Sequence, residues 1–212
     1  MPRSYDNSVF INCPFGSRYR PLFEAVVFAV YDCGFYPRSA LEVDDSSEVR
    51  IGKIIRIIAD CRLAVHDISR TQLDPGSRLP RFNMPLELGI FIGAKAFGSR
   101  DQRRKAAVVF DMDRFRYQKY ISDIAGQDIR AHGHRPSQII QQVRDFLATH
   151  CDDGVILPGG EKIVERYTIF QDGLADTCAN VHLQPEKLTF RDLTNFIVGW
   201  LRTNRLNPSL AG

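Results

Sequence analysis

The chain has 212 residues, 44% of them hydrophobic and 25% charged, enough for one sizeable α/β core and ordinary for a soluble globular protein. A net charge of +3 is too small to argue for a nucleic-acid surface, although Arg100, Arg103, Arg104 and Lys105 form a local basic cluster that reads as a solvated loop before a strand. No apolar run is long enough to span a bilayer and the N-terminus lacks an apolar signal core, so the expected setting is cytoplasmic, with no membrane partner.

Ser8-Val9-Phe10-Ile11-Asn12-Cys13 reads as the first strand, broken by Pro14-Phe15-Gly16. That turn holds one glycine and matches neither GxGxxG nor the Walker pattern. It can present backbone N–H groups and the Phe15 ring to a ligand, or simply turn the chain with Phe15 packed inward. Residues 21–32 are apolar nearly all round and predict a well-buried helix, stopped by Gly34. A second strand follows over 35–41, then the acidic residues Glu42, Asp44 and Asp45. Asp45 and Glu48 have capping-box spacing, so Asp45 is expected to cap a helix over 49–60 with Ile51, Ile54, Ile55 and Ile58 as its inward stripe. Arg38 and Glu42 lie near the carboxyl end of the second strand and are candidate ligand residues.

Leu63-Ala64-Val65 is a short apolar run ending on His66, Asp67, Ser69 and Arg70, the pattern of a buried parallel strand with polar residues at its carboxyl end. After a Pro/Gly-bearing loop, Asn83 is placed to cap a helix, with Pro85 and Glu87 in its first turn and Leu88, Phe91 and Ile92 on one buried face. Glu87 lies off that face and can point to the strand ends, where open α/β sheets put their chemistry. On spacing alone it is equally suited to be an acid that only favours the helix dipole.

Residues 105–111 read as the fourth strand, ending in Asp111, and 115–120 as an aromatic and basic segment packed on the surface. A fifth strand follows over 127–132. The helix over 136–149 carries Ile139, Ile140, Val143, Phe146 and Leu147 on its inner face. Five rounds of strand and helix without hairpin turns predict a five-stranded parallel flavodoxin-like sheet, order 2-1-3-4-5, with helices on both faces, over 8–150. Helices over 161–180 and 190–202 then form a C-terminal helical extension, 155–205, with no role in the sheet. Phe190, Leu193, Phe196, Ile197, Trp200 and Leu201 make the last helix either a cap on the core or a surface for homo-oligomer formation. The five cysteines show no CxxC pair or Cys/His ligand spacing, so neither disulfides nor a metal site is expected.

The succession of strand, His66-Asp67-Ile68-Ser69, loop, Asn83-Met84-Pro85-Leu86-Glu87-Leu88-Gly89 and apolar helix resembles the superfamily joining nucleoside 2-deoxyribosyltransferases to Toll/interleukin-1 receptor-like (TIR) NAD hydrolases. The resemblance covers roughly the first two-thirds of the chain. In that group a Glu at the start of the helix after the third strand handles the ribose of an N-glycosidic substrate, and Glu87 matches it. A ligand-contacting loop after the first strand is also implied, which makes Asn12, Phe15 and Arg18 substrate-binding candidates. Asp67 is placed to hydrogen-bond ribose or base, Ser69 and Arg70 to meet phosphate or ribose, and Arg38 and Asn83 complete the candidate set. Arg81-Phe82-Asn83 stands where Asp-Gly-Thr often precedes the deoxyribosyltransferase Glu, a departure that weighs on the deoxyribosyl preference more than on the fold.

Cleaving an N-glycosidic bond builds oxocarbenium character at the anomeric carbon, and a carboxylate held there can stabilise or capture it. With nicotinamide as the base the leaving group is already cationic, so one carboxylate can suffice. The resemblance therefore implies an N-ribosyl hydrolase or transferase of a nucleotide, NAD-like by preference, with no cofactor beyond that substrate and a possible place in bacterial antiphage defence. A nucleoside or nucleotide 2-deoxyribosyltransferase or hydrolase, and a non-catalytic nucleotide-binding scaffold, are the alternatives.

Overall fold

The computed structural model describes residues 4–71, 73, 76 and 78–206. Its sheet is built from β1 (Ser8–Asn12), β2 (Tyr36–Arg38), β3 (Leu63–Asp67), β4 (Ala106–Asp111) and β5 (Arg130–Ala131), all parallel, in the order β2-β1-β3-β4-β5. The helices are α1 (Arg20–Asp32), α2 (Arg50–Ala59), α3 (Asn83–Phe97), α4 (Pro136–Ala148), α5 (Gly160–Ala179) and α6 (Phe190–Leu206). The strand order and direction are those expected from the alternation of apolar runs.

Side chains that alternate along a strand go to opposite faces, and here both faces are apolar. Val9 and Ile11 of β1, Leu63 and Val65 of β3, and Val108 and Phe110 of β4 enter the layer shared with α1 and α4. Phe10 and Ala64 face the opposite layer, where Ile54, Ile57 and Ile58 of α2 meet Phe91 of α3. Leu88 and Val109 continue that layer with Ile68 and Tyr117.

The C-terminal helices extend the first layer. Every residue of α1 from Leu22 to Val30 is buried, because α4 lies beside it and α5 and α6 cover its outer side. Phe28 sits among Tyr167, Phe170 and Trp200, with ring centroids 5.4–5.8 Å away. Polar bonds set the register: Arg166 Nη1 donates to Asp32 Oδ1 (3.1 Å), Gln171 Nε2 to Glu24 Oε2 (3.0 Å) and Tyr167 Oη to the Pro21 carbonyl (3.0 Å). The chain enters α6 through a reciprocal pair in which Thr189 and Asp192 each accept the other's backbone N–H. The Trp200 side of α6 is thus turned onto α1 and α5. A chain ending at Asp153 would bare the outer side of α1; we expect it to aggregate and lose its cooperative melting transition, as light scattering and calorimetry would show.

Local details differ from expectation for identifiable reasons. In α2 the buried residues are Lys53, Ile54, Ile57 and Ile58, while Ile51 and Ile55 are exposed. Lys53 fits the inner side because its Nζ reaches the Val43 carbonyl (2.6 Å). Asp45 does not cap α2: its carboxylate takes the backbone N–H and the hydroxyl of Ser47, and Val49 stands at the cap position. Arg100, Arg103 and Arg104 are exposed, but Lys105 is 1% exposed, with Nζ on the carbonyls of Ile58 and Cys61 and over the Phe91 ring. Burial lowers its pKa to about 8. There it ties the C-terminal end of α2 to the start of β4, where a cation suits the negative end of the helix dipole.

Candidate functional site

The sheet changes winding direction between β1 and β3, because α1 and α2 leave on opposite faces; a crevice is expected outside the carboxyl ends of these strands. A cavity of about 540 Å³ lies there, walled by Pro14, Gly16, Ser17, Arg18 and Tyr19 of the β1–α1 turn, Ser69, Arg70, Leu73 and Arg81 of the β3–α3 connection, and His134 after β5. Its described wall carries three arginines and no carboxylate. The Arg70 guanidinium lies over Gly16, its Nη1 3.6 Å from where a Cβ would stand, an ordinary van der Waals distance. The crevice is therefore electropositive at its rim and suited to an anionic group.

Behind the wall the strand ends form a buried polar network. Asp67, fully buried at the end of β3, accepts the backbone N–H of Ser69 on Oδ1 (2.8 Å) and the Tyr19 hydroxyl on Oδ2 (2.5 Å). Burial, followed by the Asp67 charge, pushes the Tyr19 pKa well up, so the phenol keeps its proton and donates it to that carboxylate. His132, directly after β5, receives the His134 N–H on Nδ1 (3.0 Å), which leaves the ring proton on Nε2. That Nε2 stands 3.0 Å from Asp67 Oδ2, off the line of a hydrogen bond. His134 takes the left-handed conformation, φ +55°, directly after Gly133 at φ +53°.

On the other face of the same strand ends, Asn12 Nδ2 donates to His66 Nδ1 (2.9 Å) and to the Met84 carbonyl in the first turn of α3 (2.9 Å). His66 is enclosed edge-on by Phe10 and Phe91, and burial, with Lys105 adding to it, lowers its pKa to about 3. It is a neutral packed histidine, not a base. Asn12 Oδ1 and His66 Nε2 are buried with no protein partner.

Glu87 is 4% exposed on this second face. α3 begins at Asn83 with Phe82 at the cap position and no side-chain cap, so Asn83 is an exposed first-turn residue and not the cap. Glu87 is correspondingly in the second turn, where the helix dipole acts less, contrary to the sequence expectation. Burial raises its pKa to about 7 against the opposing effect of Arg50. The Cys13 thiol is pushed well up by burial and then by the charges of both Asp67 and Glu87, which places that residue between the two carboxylates' fields.

The structure thus brings Arg18, Ser69 and Arg70 to one cavity with Asp67 directly behind it, while Asn12 stands at the adjoining end of β1 and Glu87, on α3, acts on Cys13 just beyond it. Glu87 is not among the described residues that line the cavity. Phe15 rests edge-on against Phe23, 5.8 Å between centroids, and is 37% exposed. Arg38 is not gathered with the others: its guanidinium binds Glu42 (2.5 and 2.6 Å), leans toward Asp60 (3.6 Å) and borders a separate cleft at the amino ends of the strands. Tyr19, Arg81, His132 and His134 were not identified from the sequence. His132 directly follows β5 as Asp67 ends β3, so the rule that polar residues at strand ends face the crevice could have found it.

These features define a doubly wound α/β protein with an arginine-rimmed crevice at its topological switch point. Compared with protein-family models, curated proteins and solved structures, the chain finds no match in any of the three.

Proposed function

We propose that the protein is a cytoplasmic N-ribosyl hydrolase or transferase of a nucleotide, with an NAD-like substrate. The observation that carries this reading is a cavity at the switch point of the sheet whose described wall carries three arginines and no carboxylate, with the buried carboxylate of Glu87 outside that wall. Arg18, Arg70 and Arg81 supply the charge that a pyrophosphate or 5′-phosphate requires. Asp67 holds Tyr19 and the Ser69 amide in place as part of the cavity wall. Glu87, ionised, stabilises or captures the anomeric carbon as positive charge grows there. A role in antiphage defence belongs to the same reading and rests on resemblance alone, and assembly as a homo-oligomer through the C-terminal helices rests on the apolar residues of α6.

The chemistry predicts a pH dependence. Only the ionised carboxylate can stabilise an oxocarbenium ion, and burial places the Glu87 pKa at about 7. The kcat/KM of the enzyme, which reports the free protein, is therefore expected to rise about tenfold per pH unit below that value and to level off above it. A rate that falls as pH rises through 7 would show that Glu87 acts in its protonated form or not at all.

The direct test is base release from NAD and a panel of nucleotides and deoxynucleotides by concentrated protein, followed chromatographically, with and without a free-base acceptor. Base exchange would identify a transferase, and unresponsive hydrolysis a nucleosidase. The absence of Glu87 from the described cavity wall favours a second reading, a nucleotide-binding scaffold without chemistry. Binding of the nucleotide with no base release at any protein concentration would establish that alternative.

A further inference from the structure

The chain from Ile68 to Thr71 carries two residues of the cavity wall, Ser69 and Arg70, yet belongs to no helix or strand. Its backbone is held from both sides. Asp67 takes the Ser69 N–H, and Arg116, from the segment after β4, takes the Ser69 carbonyl through Nη2 (2.5 Å). The same guanidinium donates through Nη1 to Thr71 Oγ1 (2.7 Å) and through Nε to Asp111 Oδ1 (2.9 Å). Asp111 is fully buried at the end of β4, so it anchors Arg116 to the sheet. Tyr120 closes the group: its ring lies under the guanidinium, 5.3 Å from the centroid, and its hydroxyl is 3.0 Å from both Asp111 Oδ2 and the Ile68 carbonyl. Phe115, just before Arg116, adopts φ +60°, a left-handed conformation unusual for an aromatic residue, on the way into this arrangement.

A planar guanidinium that meets a carboxylate, a carbonyl and a hydroxyl at once is a directional clamp, which an ammonium on a flexible stem cannot reproduce. We propose that Arg116 is a positioning residue: it fixes the Ser69–Thr71 backbone so that Arg70 is held over the Gly16 turn, ready for the anionic part of the ligand. The inference rests on the cavity being a nucleotide site. Without the clamp Arg70 must be ordered at the moment of binding, and that ordering appears as lost affinity.

The experiment uses Arg116→Lys, which keeps a cation beside the buried Asp111 and so protects the fold, together with Thr71→Val, which removes only one contact of the clamp. ADP is the probe, with affinity read by calorimetry and the amides of Ser69 to Thr71 followed by hydrogen exchange. Arg116→Lys is expected to weaken ADP binding by about tenfold or more, to speed exchange of these amides and to leave the melting temperature within a few degrees, with a smaller loss for Thr71→Val. On a substrate that turns over, KM should rise with kcat nearly unchanged. Equal ADP affinity in wild type and Arg116→Lys would overturn the role of Arg116 while leaving the nucleotide site standing. Faster exchange without weaker binding would do the same, because the loop would be held but would not serve the ligand. A wild-type protein that binds no ADP would overturn the nucleotide reading itself, and the clamp's role with it.

Discussion

Glu87→Gln is expected to release base from its nucleotide at least about a hundredfold more slowly than wild type, because a positioned charged group in a dry site contributes that much or more to the rate. The same substitution should raise the melting temperature at pH 8. Glu87 titrates near 4.5 when unfolded and at about 7 when folded. The native state therefore binds its proton more tightly, and stability falls as pH rises from about 4.5 to about 7. Above that window the buried charge costs on the order of 3 kcal/mol, part of which the buried amide of Gln offsets. Below pH 4.5 both forms are neutral and the two proteins should melt alike. A purely helix-dipole role predicts the opposite sign, a loss of about 0.3–1 kcal/mol on removing the charge, and its second-turn position makes even that an upper value. Melting curves at pH 4 and pH 8, with base release on the same preparation, separate the two. A Gln variant with wild-type turnover would end the catalytic role.

The second large effect concerns Asp67. Replacing it with Ala leaves the Tyr19 hydroxyl and the Ser69 N–H without their acceptor and strips the His132 Nε2 of its facing carboxylate, all in a fully buried place. Each orphaned polar group costs about 1–3 kcal/mol, so the whole change should destabilise the protein by about 3 kcal/mol or more, read from the urea midpoint at unchanged slope. Asp67→Asn should lose less. Its amide oxygen can still take the Ser69 N–H and the Tyr19 hydroxyl can turn to accept from the amide nitrogen, but two N–H groups then face each other at His132. An Ala variant as stable as wild type would show that the network does not hold the strand ends together.

Much of the architecture is written in local periodicity. The helix over Pro136–Ala148 buries the five apolar residues that its spacing marks, and the apolar runs of β1, β3 and β4 could be covered on both faces only in a parallel sheet. Ser69 and Arg70 were also legible, since they follow the apolar run of β3 into the crevice, whereas the second-turn position of Glu87 was not, because α3 takes Phe82 and not Asn83 at its cap. The chain alone could not choose the buried side of α2. An isoleucine-rich helix offers more than one apolar stripe, and only packing against Phe91 and the strands selects Ile54, Ile57 and Ile58 over Ile51 and Ile55. Nor could it say where the Trp200 side of α6 goes, because that depends on the outer side of α1 being left uncovered by the sheet. The polar networks were the least legible part. Tyr19, Asp67 and His132 come from three separate stretches of chain, as do Ser69, Asp111 and Arg116, and no spacing along the chain encodes which of them meet. Strand order and crossover direction decide that, by carrying the carboxyl ends of β1, β3, β4 and β5 to one edge of the sheet.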